Sequence, residues 1–194
     1  MKQIILVFAL VVLELAAYAQ GHEQGRPHKF HIGLSTGINQ GTGLIGPTFE
    51  YQIVHNLTAN AAVGLASWGF KTTGGLKYYL RYPGSWAFGL GYSYATGLDN
   101  FSTELADGFV EGKSGQQKVT FNLLPASTVN ISAIKYWLLG KQKKNRLHLE
   151  FGYAIPTANN RYETSVTLTD KGKTFMNILQ PGGLLLGVGF SFGL

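Results

Sequence analysis

The chain contains no cysteine among its 194 residues, which excludes disulfides and thiolate metal sites. Charge is also scarce. Only 13% of residues are Asp, Glu, Lys or Arg, about half the share usual in a soluble domain. The 16 basic residues give a formal charge of +6 but are spread thinly, and nucleic-acid binding needs them clustered on one solvated face. After residue 13 no apolar run reaches the length of a membrane-spanning helix. What the chain has in quantity is glycine, 26 residues, and aromatic side chains, 13% of the total. A disordered tail, an acidic scaffold and an ordinary cytosolic enzyme all fit that balance poorly.

The amino terminus has the layout of a secretory signal peptide. Lys2 supplies a positive start, Ile4 to Leu13 is unbroken apolar, and Ala17-Tyr18-Ala19 is a small-x-small cleavage pattern before Gln20. A ten-residue helix reaches about 15 Å against a hydrocarbon core of roughly 30 Å, so the run is too short to span. The expected organisation is a signal peptide over 1–19, cut between Ala19 and Gln20, a periplasmic extension over 20–28, and one domain over 29–194.

From Lys29 onward large apolar residues alternate with small or polar ones, the period of a half-buried strand. Eight segments show it. They run through Phe30–Ile38, Phe49–Ile53, Leu57–Leu65, Leu76–Tyr82, Trp86–Tyr94, about Val119–Leu138, Leu147–Tyr153 and Leu184–Phe192. Cross-strand partners must share a face. That condition predicts a three-residue turn at Val54-His55-Asn56, pairing Tyr51 with Ala59, and another at Pro83-Gly84-Ser85, pairing Lys77 with Gly91. In the sixth segment, keeping Ile134, Tyr136 and Leu138 on the apolar side requires a bulge between Ser132 and Ile134. Lys135 then pairs with Glu150 above a turn at Gly140 to Asn145. Short turns alternate with longer connections at about 39–47, 67–74, 96–118 and 156–182. In the last of these Thr169 to Leu179 reads as a short helix stopped by Pro181.

Composition decides which face meets what. The non-apolar faces of the fifth and eighth segments carry Ala, Gly and Ser rather than long charged side chains, which suits the inside of a narrow barrel and not a solvated surface. The opposite face is Leu, Ile, Val, Phe and Tyr, an aggregation-prone patch in water, so it faces lipid. Tyr82, Trp86, Tyr94, Tyr153 and Phe192 are placed as interfacial girdles. These features, with the terminal strand Leu184-Leu185-Leu186-Gly187-Val188-Gly189-Phe190-Ser191-Phe192-Gly193-Leu194, resemble the small eight-stranded outer-membrane barrels of Gram-negative bacteria, such as the OmpA transmembrane domain and OmpX. The resemblance implies an all-β, transmembrane, up-and-down antiparallel barrel of eight strands. It also implies both termini in the periplasm, residence in outer-membrane lipid, and recognition of the terminal strand by the barrel-assembly machinery. The terminal strand departs from the usual aromatic ending, closing on Gly193-Leu194.

Parity places Glu50, Lys77, Arg81, Lys135, Glu150, His31 and His148 inside the barrel, the last two with Arg81 towards the periplasmic end. Charges in a narrow lumen should pair, and eight strands leave no open channel. The expected arrangement is therefore a salt-bridged plug, with a gate as the alternative. Lys141, Lys143, Lys144 and Arg146 are expected to meet anionic inner-leaflet head groups. A lipid-modifying enzyme, a deacylase or palmitoyltransferase, needs a nucleophile beside a histidine base, and none of His22, His28, His31, His55 and His148 lies in a long loop. Weak metal binding by His22, His28 and His31 is less economical than a flexible exported terminus. The sequence thus points to a monomeric barrel with no catalytic, metal or cofactor site and no nucleic-acid partner. It serves envelope structure or surface interaction through loops 96–118 and 156–182, with transport of a small solute or lipid-like ligand as the runner-up. A soluble periplasmic barrel is the third reading.

Overall fold

A computed structural model describes residues 28–158 and 161–194. The signal peptide, the Ala19/Gln20 cleavage point, His22 and nearly all of the amino-terminal extension lie outside the described residues. The barrel strands are β1 (Phe30–Ile38), β2 (Ile45–Val54), β3 (Leu57–Ala66), β4 (Gly69–Tyr79), β5 (Ser85–Ala95), β8 (Ala126–Leu139), β9 (Asn145–Pro156) and β11 (Gly183–Gly193). They close in the order β1-β11-β9-β8-β5-β4-β3-β2, each pair antiparallel. The fold is an eight-stranded up-and-down barrel, as the alternation predicts.

Two insertions stand on one end of it. Between β5 and β8 the chain forms the hairpin β6 (Leu98–Leu105) and β7 (Gln117–Leu123). Between β9 and β11 it forms β10 (Tyr162–Thr164) and the helix α1 (Asp170–Leu179). β10, β7 and β6 make a separate three-stranded sheet. Phe121, Val119, Leu105, Leu168 and Met176 pack a small apolar core between this sheet and α1, with Trp68 beneath them at the rim of the barrel. The helix begins where the sequence places it, because the Thr169 hydroxyl accepts a hydrogen bond from Gly172 N. Both long loops are therefore one folded cap.

The cap revises several boundaries. The sixth segment splits in two, β7 belonging to the cap and β8 to the barrel. The connections expected at 39–47 and 67–74 shrink to residues 39–44 and the turn Ser67-Trp68, because β2, β3 and β4 run on to the rim. At the opposite end, Tyr51 pairs with Ala59 as predicted, but the turn closes over two residues, Val54 facing Leu57, and a bulge near Ile53 absorbs the extra one. In the β4–β5 connection Ser85 is at positive φ, 81°.

The β4–β5 register differs by two from the expected one. Lys77 faces Gly89, and Tyr79 faces Ala87. Beyond Tyr79 the strand ends and the faces exchange: Arg81 is exposed and Tyr82 buried. The predicted bulge in β8 does not exist. β8 keeps one phase from end to end, with Ile134 and Tyr136 inside and Lys135 outside. Ile134 therefore faces Glu150, and Lys135 faces Leu149. The physical reason is common to both corrections. Tyr79, Tyr82, Ala87, Ile134 and Tyr136 form an apolar cluster that fills the lumen at the short-turn end, so apolar residues point inwards there as well as outwards.

Candidate functional site in the barrel lumen

Glu50 is the hub of the lumen. Parity on β2 turns it inwards between Phe49 and Tyr51, and only 5% of it is exposed. Its Oε1 accepts from Tyr79 Oη at 2.5 Å and from Arg146 Nη1 at 3.0 Å. Its Oε2 accepts from Lys77 Nζ at 3.1 Å and Tyr136 Oη at 3.4 Å. A buried carboxylate with two cations and two phenols has its lone pairs occupied, which is the condition under which a buried charge is tolerated.

The surrounding aromatic rings hold those donors in place. The Arg146 guanidinium lies 4.8 Å from the centre of the Tyr136 ring, while its Nε donates to Ser191 Oγ at 3.3 Å. Tyr79 packs against Tyr82 and Tyr136 at 5.1 and 5.2 Å. Tyr82 Oη donates to the His28 carbonyl at 2.6 Å and lies 3.2 Å from His31 Nδ1. This cluster packs inside the barrel at the short-turn end.

Nearer the cap a hydroxyl–amide relay crosses the lumen. Thr128 donates to Asn130 at 2.9 Å, Asn130 Nδ2 to Ser93 at 2.5 Å, and Thr73 to the Gly41 carbonyl at 2.8 Å. Since Thr73 spends its proton on Gly41, the 2.6 Å contact between Ser93 and Thr73 must have Ser93 as donor. The segment 39–44 is drawn into the barrel mouth, where Gln40 and Thr42 are buried and Lys71 Nζ donates to the Asn39 carbonyl at 2.9 Å. Between the tiers lies a cavity of about 50 Å³, lined by Glu150, His148, Asn130 and Lys77 among others.

Five of the seven expected lumen residues are inside: Glu50, Lys77, Glu150, His31 and His148. Arg81 and Lys135 are not. Arg81 is displaced by Tyr82, whose ring packs against Tyr79 inside the barrel, and Lys135 lies on the outer face with its Nζ 5.4 Å from the centre of the Trp86 ring. Glu150 therefore has no Lys135 partner, and among the described residues it forms no ion pair within 4 Å. Arg146, grouped above with the turn lysines, is 1% exposed and belongs to the lumen. Its signal was available: the parity that turns His148 inwards on β9 turns Arg146 inwards as well. Lys71 carries no such signal, because the alternation does not extend through 67–74, the residues expected to form a connection. Tyr79 and Tyr136 are the other members that charge alone did not reveal.

Neither His31 nor His148 is hydrogen-bonded to a serine or threonine hydroxyl among the described residues, so no nucleophile–base pair is assembled there. No group of three His, Asp or Glu residues among the described residues is placed to hold a metal ion. The lumen's chemistry is charge pairing and hydrogen bonding.

No protein-family model matches the chain, and no curated protein matches it in sequence. Among solved structures it is similar to the N-terminal β-barrel domain of OprF from Pseudomonas aeruginosa. The TM-score is 0.46 and the identity 10%, over 86% of this chain and 98% of that one.

Proposed function

We propose that the chain is an outer-membrane barrel, non-enzymatic, with a lumen closed by the Glu50 cluster and a folded cap presented to the outside for envelope structure or surface interaction. One observation carries this reading, the inversion of the barrel. Leu34, Tyr51, Leu76, Phe88, Leu90, Ile131 and Tyr153 are about half exposed or more, while Glu50 and Arg146 are buried. In water such a surface would drive aggregation; in lipid it is the ordinary solution for a spanning barrel. In this reading the short-turn end and both termini are periplasmic, and the terminal strand β11 is the element offered to the assembly machinery. Fractionation tests it: the protein should leave the outer membrane only with detergent and migrate differently on gels before and after heating. Release by osmotic shock would make it a soluble barrel.

A second reading, passage of a small solute through a gated lumen, draws on two groups lining the cavity: Glu150, which forms no ion pair within 4 Å among the described residues, and His148, whose Nδ1 has no hydrogen-bond partner. We favour the closed form because tyrosine rings and two ion pairs cross the lumen below that cavity.

A further inference from the structure

Lys135 is the single charged residue on the outer face of the eight barrel strands, among the described residues. Every other outward position, from Phe30 on β1 to Phe192 on β11, is apolar, small or uncharged. Nor does Lys135 sit at the strand's end, for Trp137 and Leu139 follow it on the same face before the turn. A lone cation on a lipid-facing surface is disfavoured unless something offsets it. Burial in the barrel does not, since the parity of β8 is unbroken.

The surroundings say what does. Lys135 pairs across the ladder with Trp86, the second residue of β5, so its height is that of the membrane–water interface. Its Nζ lies over the Trp86 ring at 5.4 Å, and Trp86 packs edge-on against Phe151 at 5.8 Å. The connection before β5 brings exposed Arg81 to this rim, and the turn after β8 brings exposed Lys141 and Lys143. No acidic side chain occurs anywhere in residues 78–98 or 126–149. Glu150 on the adjacent strand β9, like Glu50 on β2, faces the lumen. The site is cationic, aromatic and without an anion of its own.

We infer that the outer wall formed by β5 and β8 holds a binding site for an anionic phospholipid. Lys135 Nζ takes the phosphodiester, Arg81 adds charge from the rim, and the acyl chains lie on Phe88 and Ile131, which are 53% and 54% exposed. A soluble polyanion would meet the turns but not Lys135, whose stem lies among lipid-facing rings. The inference rests on the membrane-spanning reading.

Tryptophan quenching tests it. The full chain is refolded into phosphatidylcholine vesicles containing an equal minority of brominated phosphatidylglycerol or brominated phosphatidylcholine. Trp86 and Trp137 face lipid, whereas Trp68 is sealed in the cap core and contributes a constant background. The brominated phosphatidylglycerol should quench several-fold more strongly at the same mole fraction. Molar salt should abolish the preference, as should Lys135→Met in protein that still shows heat-modifiable migration. Equal quenching by the two lipids would overturn the site while leaving the barrel in the membrane. A preference that survives in Lys135→Met but disappears in Lys141→Gln/Lys143→Gln would overturn it by placing the lipid at the turn. Should Lys135→Met fail to insert, the salt series on the unaltered chain decides, and a preference that persists in high salt overturns it. Quenching by neither lipid would remove the membrane reading itself.

Discussion

Arg146 and Glu50 meet at 3.0 Å across the lumen from strands β9 and β2, which are separated around the barrel by β11 and β1. Their side chains are 1% and 6% exposed. No hydrogen-bonded ladder joins these two strands, so the pair ties non-adjacent parts of the wall through the interior. Lys77 reaches the same carboxylate from β4.

The three charges are not equivalent, and that asymmetry is testable. Glu50→Gln leaves two buried cations without an anion, whereas Arg146→Met leaves Glu50 paired with Lys77. Glu50→Gln should therefore destabilise the barrel by about 3–5 kcal/mol in urea titrations in detergent, and Arg146→Met by less. The double variant should be more stable than Glu50→Gln alone, since one uncompensated charge has gone. Additive losses would mean that the two residues are not coupled.

The two barrel faces should differ in their tolerance of substitution. Leu90→Arg and Val188→Arg lie mid-strand on the outer face and should each cost about 2–4 kcal/mol of insertion into vesicles. Gly89→Ala lies one position away and faces the Ser132 hydroxyl, at 2.7 Å from an added Cβ, which can rotate aside. It should cost less. If the glycine change proves the more damaging for insertion, the faces are inverted.

Asn39 closes the seam between β1 and β11. The β1–β11 ladder ends at Ile38 and Leu186, and beyond it Asn39 Nδ2 donates to the carbonyls of Gly182 and Leu184 at 2.7 and 3.1 Å. Asn39 has φ 54°, a conformation that asparagine tolerates better than most residues. Asn39→Gly keeps the backbone and loses the bonds; Asn39→Ala loses both. The thermal midpoint in detergent should fall for both variants and further for alanine, whose stability should be lower than that of the glycine variant by about 1 kcal/mol. Equal losses would show that the backbone conformation contributes nothing.

The cap should come apart without the barrel. Phe121 is fully buried in the cap core, and Phe121→Ala should cost about 3–5 kcal/mol there. Limited proteolysis should then cut within 98–123 or 162–179, while the heat-modifiable barrel band persists. Loss of both together would make cap and barrel one cooperative unit.

Much of the fold was legible because a strand's period is two and the barrel's faces differ so sharply. Parity alone placed Glu50, Lys77, Glu150, His31 and His148 inside, and the segment from Thr169 to the stop at Pro181 marked the helix. It failed where the rule that apolar residues point outwards fails. Ile134, Tyr136 and Tyr82 are apolar or aromatic and lie inside, because the lumen at the short-turn end is filled by bulky side chains as well as charge. An outward Ile134 would require a bulge that β8 does not contain; with Ile134 inside, Glu150 faces Ile134 and not Lys135. The cap was illegible for a different reason. Its strands are short, and β10 spans three residues, so its sheet exists only through contacts between two distant insertions.

Whether the lumen is closed is decided most directly by planar-bilayer recording of the unaltered protein, after heat-modifiable migration has verified that the barrel is folded and inserted. With Glu50, Arg146, Lys77 and the tyrosine rings of residues 79, 82 and 136 crossing the lumen, no conductance above the bilayer baseline is predicted. Stable, stepwise conductance from the inserted protein would contradict a closed barrel and make the charge cluster a gate.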